Sequence, residues 1–378
     1  GGSWVRDEDV MDTWFSSWLW PFSTMDEPTR DKFYPTTDLV TGPDIIFFWV
    51  ARMIMAGYRF ENQLPFKNVF FTSIIRDLEG RKMSKSLGNS PDPIDLMDQY
   101  GADGLRFGLM RTAPVGTDVR FDEQLVAEGR NFANKLYNAC RFRQMANSSD
   151  TQRGTVEMPT EGLRPYHLDI AGKLDQLALS LDKSYADYRF NDVGQQLYDF
   201  LWSEFCDKFL EAVKGDLRDT ASAEARELTL SVFDAVMSRY LQLLHPYMPH
   251  ITEELSVRMA YVAEGEFIMQ KVYPAEPLVT GDTEASSKAD AVYTTAGRMR
   301  NLKAEYNVAT RKDVKFIIIK SKSWLAEETD VLGLLAGGDV EILDGYDAAK
   351  GTPAAVTDVG EVYMPHEGLI DVDAEKVR

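Results

Sequence analysis

A chain of 378 residues with 44% hydrophobic and 11% aromatic content has enough apolar side chain to bury two or three cores, so it reads as a multidomain globular protein. The longest apolar run, Ile45 to Ala56, is broken by Arg52 and falls well short of the ~20 residues a membrane span needs. Two cysteines, Cys140 and Cys206, supply neither a disulfide framework nor a four-cysteine zinc site, which fits a reducing cytoplasm. The formal net charge of −19 argues against bulk attraction to nucleic acid, with 17 Lys+Arg against 21 Asp+Glu in residues 1–150 and the larger acidic excess beyond. Binding to a polyanion would have to rest on a local basic stripe.

In chain order, the first strong element is Gly42 to Gly57. It predicts a helix with Pro43 in its first turn and Gly57 at its C-terminal end, apolar all round and therefore buried. Val69 to Ile75 is a short branched and aromatic run bounded by polar turns, a buried strand that leads into a glycine-hinged loop. From Asn131 the pattern turns helical, with Phe132, Leu136 and Cys140 four apart. Asn147 to Pro159 is a polar linker. Helices are expected over 167–184, 223–244 and 251–261. Another, capped by Asn191-Asp192, repeats Val193, Leu197, Leu201, Phe205 and Phe209 every four residues. Together they predict an antiparallel bundle. Beyond Pro274 a helix over Ala291 to Tyr306 and strands at Lys315 to Lys320 and Val340 to Leu343 suggest a small α/β module.

The loop Gly80-Arg81-Lys82-Met83-Ser84-Lys85-Ser86-Leu87-Gly88-Asn89 is the most informative stretch. Lys82 and Lys85 are compact ammonium donors suited to a polyphosphate, Ser84 and Ser86 add hydroxyls, and the glycines allow the loop to move. Met83 suits an apolar anchor. Arg130, Lys135, Arg141 and Arg143 lie at near-helical spacing and could form a basic stripe for nucleic acid; a solvated helix face explains them equally well.

Lys82-Met83-Ser84-Lys85-Ser86 resembles the second signature of class I aminoacyl-tRNA synthetases. Asp12-Thr13-Trp14-Phe15-Ser16-Ser17 and Gly42-Pro43-Asp44-Ile45-Ile46-Phe47-Phe48-Trp49 narrow the likeness to the valyl branch, with the isoleucyl branch as runner-up. The likeness continues through Tyr100-Gly101-Ala102-Asp103, Arg130 to Lys135, Tyr188 to Asp192, His245 to Leu255, Arg300 to Val308 and Glu367 to Val372. The family's His-Ile-Gly-His signature has no counterpart among His167, His245, His250 and His366. The resemblance therefore implies a C-terminal portion without the first catalytic half, the editing domain or the coiled-coil arm, inactive alone, or else a non-catalytic tRNA-binding module.

What the resemblance implies is specific. The fold would be multidomain α/β plus α: residues 1–110 the second half of a Rossmann-like catalytic fold, 111–150 connecting helices, 151–275 a helical anticodon-binding bundle, and 276–378 a small α/β module. The reaction would be activation of valine by ATP, with Mg2+ in the substrate complex, and transfer to tRNA-Val. Lys82 and Lys85 would stabilise the departing pyrophosphate, with no protein nucleophile and no obligatory general base. Gly42, Asp44, Ile74, Ile75, Met83, Ser84 and Ser86 would complete the ATP site. Thr72-Ser73 replaces a common His-Gly there. Trp14 and Ile45 would wall the valine pocket. No structural zinc is implied, and a cytoplasmic monomer is expected.

Overall fold

The computed structural model describes residues 2–114, 116–146, 156–218, 220–279, 283–308 and 314–365. Most of the linker predicted at Asn147 to Pro159, and the family-like stretch from Glu367 to Val372, lie outside the described residues.

Strands β1 (Thr36–Thr41) and β2 (Phe66–Phe71) pair in parallel, in register from Thr36 opposite Phe66 to Thr41 opposite Phe71. Parallel neighbours need a crossover, and here it is helical from Pro43 to Glu61. A 3-10 turn at Pro43–Ile45 passes into a π-helical stretch at Ile46–Val50, an α-helix at Ala51–Ala56 and a second π-helical stretch at Gly57–Glu61. The helix thus runs past Gly57 and stops at Asn62, which turns left-handed at φ 55°. Gly57 serves close packing instead of termination: a Cβ there would meet the Gln63 carbonyl at 2.7 Å and Pro65 at 2.9 Å. The expected burial also fails. Val50, Ala56 and Gly57 are buried, whereas Phe47 is 78% and Phe48 58% exposed. An all-round apolar pattern requires covering layers on both sides, and among the described residues one side has none.

In a second parallel pair, β3 (Ile75–Arg76) leads into the lysine loop and β4 (Val119–Arg120) returns beside it after the helices Pro93–Tyr100 and Ala102–Thr112. The strand predicted as Val69 to Ile75 is therefore two strands, separated at Thr72 to Ile74, and β2 is only partly buried.

The helical region packs Glu123–Met145, Pro165–Ala186, Phe190–Asp199, Ala223–Leu244 and Pro249–Arg258 about one core. Phe190–Asp199 continues without a break as a π-helical stretch, Phe200–Leu210. Val193, Leu197, Leu201, Phe205 and Phe209 are all at most 1% exposed. Spacing of four overshoots the 3.6-residue α-turn and undershoots the wider π-turn, so the drift of the stripe reverses midway and stays on one face. The predicted Asn191-Asp192 cap is absent. The helix begins at Phe190 after Arg189, no side chain caps it, and the Asn191 amide donates to Asp192 at 2.8 Å within the first turn.

Helix Thr283–Glu305 lies between this bundle and a four-stranded sheet, burying Ala289, Val292, Ala296 and Met299. The sheet places β5 (Lys315–Ile319) between β6 (Asp339–Ile342), parallel, and β8 (Gly360–Tyr363), antiparallel, with β7 (Ala354–Thr357) beyond β8. Helix Thr329–Ala336 makes the parallel crossover. One apolar cluster runs from Phe107 to Met364, and Arg164 ties the parts polarly, reaching Asp216 at 2.9 Å and Glu328 at 3.2 Å.

Candidate active site

β1 and β2 end side by side, and their carboxyl ends form the crevice where parallel sheets take ligands. β1 delivers Gly42-Pro43-Asp44, and the chain after β2 delivers the lysine loop. The loop begins as a tight hairpin: Arg76 bridges antiparallel to Lys82, the Asp77 N–H donates to the Arg81 carbonyl at 3.0 Å, and Gly80 turns at φ 83°. A single 3-10 turn, Lys85–Leu87, follows, with the Leu87 N–H on the Ser84 hydroxyl at 3.3 Å and Gly88 at φ 65°.

This folding brings predicted residues together. Lys82 Nζ lies 3.1 Å from Asp44 Oδ2, both side chains being exposed, and the lysine holds the Asp44 carboxyl below its usual range. The Ser84 and Ser86 hydroxyls are 3.2 Å apart, and Lys85 is exposed. Met83, half-buried, lines a cleft of about 460 Å³ whose walls mix Pro91 and Phe121 with the charged Asp77, Arg81 and Glu123. The Ile74 carbonyl accepts the Val119 N–H at 3.0 Å, so that backbone acceptor is already engaged in the strand pair; Ile75 is on the adjoining strand. At the departure from His-Gly, the Ser73 hydroxyl donates to the Pro114 carbonyl at 2.9 Å.

An apolar cavity of about 720 Å³ adjoins the crossover helix, lined by Trp14, Phe15, Trp18, Phe47, Arg52 and Met55 among others. Trp14 stands edge-on to Trp49 at 5.4 Å, with the Arg52 guanidinium 5.6 Å from its ring centre. Ile45 is not part of this lining: it sits in the 3-10 turn, ahead of the helical face that Phe47, Ala51 and Met55 present. The i, i+4, i+8 spacing of those three was the missed signal.

The basic stripe is also corrected. Arg143 is 7% exposed and forks onto Asp234 at 2.8 and 2.6 Å, while the Tyr261 hydroxyl donates to the same carboxylate at 2.8 Å. It is a core cation, on the face opposite solvent, and cannot contact RNA without leaving a buried carboxylate unpaired. Arg130 and Arg141 are exposed, and Lys135 lies over Trp202 at 4.5 Å and on Asp207 at 3.1 Å. Arg130 lies over the Tyr100 ring at 5.2 Å. Asp77 was not singled out by sequence. It is 9% exposed and accepts from the Arg81 N–H and Nε, each at 2.8 Å, and from the Asn89 amide at 2.9 Å. The Asn89 bond first, with Arg81 after it, drops its pKa to about 2.

Residues 1–122 match the family of tRNA synthetases class I (I, L, M and V), and residues 168–318 match the anticodon-binding domain of tRNA ligases. The chain is 38% identical to a valine–tRNA ligase of Bacteroides fragilis over 99% of its own length, 39% to that of Parabacteroides distasonis over 98%, and 38% to that of Bacillus subtilis over 100%. It spans 42–43% of the length of these relatives. Among solved structures, the fold is similar to a leucyl-tRNA synthetase of Agrobacterium radiobacter K84, with TM-score 0.57 and 18% identity over 84% of this chain and 36% of that one. The methionyl-tRNA synthetase of Mycobacterium tuberculosis gives 0.51 and 21% over 68% and 52%. A class I synthetase domain bearing the lysine loop, a tRNA-ligase anticodon-binding domain, and valine–tRNA ligase relatives along nearly its whole length place this chain in the class I aminoacyl-tRNA synthetase family.

Proposed function

We propose that this chain supplies the lysine loop and the tRNA-binding helical part of a valine–tRNA ligase, which activates valine with ATP and transfers it to tRNA-Val. The observation that carries the reading is the approach of Lys82 to Asp44 at the carboxyl ends of β1 and β2, which puts a phosphate-binding cation and a ribose-binding carboxylate in one crevice. The valine carboxylate attacks the α-phosphate, the bond to pyrophosphate breaks, and a terminal ribose hydroxyl of tRNA then takes the valyl group from the adenylate. Charge builds on the leaving pyrophosphate, so Lys82 and Lys85 lower the barrier by meeting it there, with Mg2+ accompanying ATP as substrate. Gly42 lets the ribose approach Asp44: a Cβ at that position would lie 2.8 Å from Asp44 Oδ1. Ile74 and Ile75 border adenine, Ser84 and Ser86 add donors, and Trp14 and Ile45 wall the amino-acid pocket. Arg130, Lys135 and Arg141 face tRNA.

Residues 1–110, 111–150, 151–275 and 276–378 are assigned as catalytic half, connecting helices, anticodon bundle and small module. The protein is taken to act as a cytoplasmic monomer; among the described residues no helix is long and apolar enough to cross a membrane. Valine-dependent exchange of pyrophosphate into ATP is expected of the longer ligase and not of this chain alone. Exchange by the longer ligase that prefers isoleucine, or none, overturns the assignment. A second reading, a tRNA-binding module without catalysis, is favoured by the apolar cluster from Phe107 to Met364, which closes without residues 2–106. Filter binding of valine and isoleucine tRNAs to this chain at several salt concentrations, beside the exchange assay, separates the two.

A further inference from the structure

The lysine loop is closed on itself by two side chains that have no task in the reading above. Lys82 is the last residue of a hairpin and Lys85 the first of a separate 3-10 turn, joined only through Met83 and Ser84. Asn89 spans the two pieces. Its Oδ1 accepts the Ser84 N–H at 2.9 Å, and its Nδ2 donates to Asp77 Oδ2 at 2.9 Å and reaches the Lys82 carbonyl at 3.4 Å. Asp77 in turn holds the hairpin through the Arg81 N–H and Nε. The result is a ring: hairpin, Asp77, Asn89, Ser84 and back to Lys82. Positive-φ glycines, Gly80 and Gly88, sit at its two bends.

Two lysines on a floppy loop would each have to be ordered at the moment of reaction, whereas lysines on one rigid unit are ordered in advance. We infer that Asp77 and Asn89 are positioning residues that lock Lys82 and Lys85 into a single unit, so that both ammonium groups meet the leaving polyphosphate together. This rests on the assignment of those lysines to phosphate made above.

Two measurements test it. In this chain, Asn89→Ala should speed tryptic cleavage after Lys82 and Lys85 about tenfold by raising the population of the open loop, with cleavage elsewhere and the thermal midpoint unchanged. Unchanged loop cleavage overturns the ring. In the longer ligase, Asp77→Ala and Asn89→Ala each remove a link of the ring, and each should lower kcat for pyrophosphate exchange about tenfold with the KM for valine within about twofold. Asp77→Ala combined with Asn89→Ala should lower kcat no further than the worse single variant, because either loss opens the same ring. Multiplying losses in the double variant, or loss of thermal midpoint in parallel with kcat in the single variants, makes the pair merely structural. A longer ligase with no exchange at all would remove the proposed function, and the cleavage result would still decide the ring.

Discussion

The crossover helix near the N-terminus and the long helices of the bundle have similar apolar content and opposite fates. In Pro43 to Glu61, Phe47, Phe48, Trp49, Met55 and Tyr58 are each about half exposed or more. In the bundle, Tyr166, Phe205, Phe233 and Tyr240 are at most 1% exposed. The lesson is that an apolar pattern states a demand for cover without saying what meets it. The bundle satisfies its demand internally, helix on helix; the crossover region has its helix on one side of a two-stranded sheet and an open apolar face on the other. The lysine loop that follows is tied instead by short polar bonds such as Asn89 to Asp77.

Substitution tests this contrast most sharply at matched aromatics. Phe205→Ala should cost about 3–5 kcal/mol in urea unfolding, from lost transfer energy plus a cavity, whereas Phe47→Ser should change stability by less than about 0.5 kcal/mol. Equal costs would break the comparison. Buried charge gives a second large difference. Asp234→Ala strands the Arg143 guanidinium in the core and should cost about 3–5 kcal/mol, whereas removing the exposed Asp44 partner of Lys82 should leave the urea midpoint nearly unchanged.

A pH effect should follow from His167 in the bundle. Its Nδ1 accepts the Arg164 N–H at 3.2 Å, so its Nε2 carries the proton and donates to the Thr229 hydroxyl at 3.1 Å, which donates to Asp216 at 3.0 Å. Burial first, then the nearby Arg164 charge, lowers the imidazole pKa to about 4. The unfolded chain, at about 6.5, binds the proton more readily, so stability should be full above pH ~6.5 and fall as pH drops through 6.5 towards 4, by about 3 kcal/mol in all. His167→Gln should flatten that limb in urea titrations; an unchanged limb would assign it to other groups.

Function gives the next test, in the open region. In the longer ligase Lys85→Ala should lower the pyrophosphate exchange rate about 100-fold while leaving the KM for valine nearly unchanged. A pure valine-binding defect would take the lysine out of the chemistry. Smallest is the pocket effect: Trp14→Ala should raise the KM for valine about tenfold and Ile45→Ala about threefold, since the larger side chain gives up more apolar contact. An unchanged KM in either variant would take that residue out of the wall.

Much of this was legible in the residues. Gly80 and Gly88 marked the bends of the loop, Lys82 and Lys85 its chemistry, and the four-residue repeat from Val193 to Phe209 its buried helix, because local φ requirements and periodicity are properties of the chain itself. The repeat could not reveal that the helix widens into π-turns to keep that stripe straight. Nor could spacing separate Arg143, buried on Asp234, from Arg130 and Arg141 on the solvent side, since which face of a helix is inside depends on the elements that pack against it. The same holds for Asp77 and Asn89. Twelve positions apart, they carry no short-range signal, and only the hairpin at Arg76 to Lys82 folds the carboxylate back onto the amide. Local conformation, periodicity and loop chemistry were determined by sequence; burial, partner choice and the pairing of Lys82 with Asp44 were decided by tertiary structure, because each depends on residues brought together across long stretches of chain.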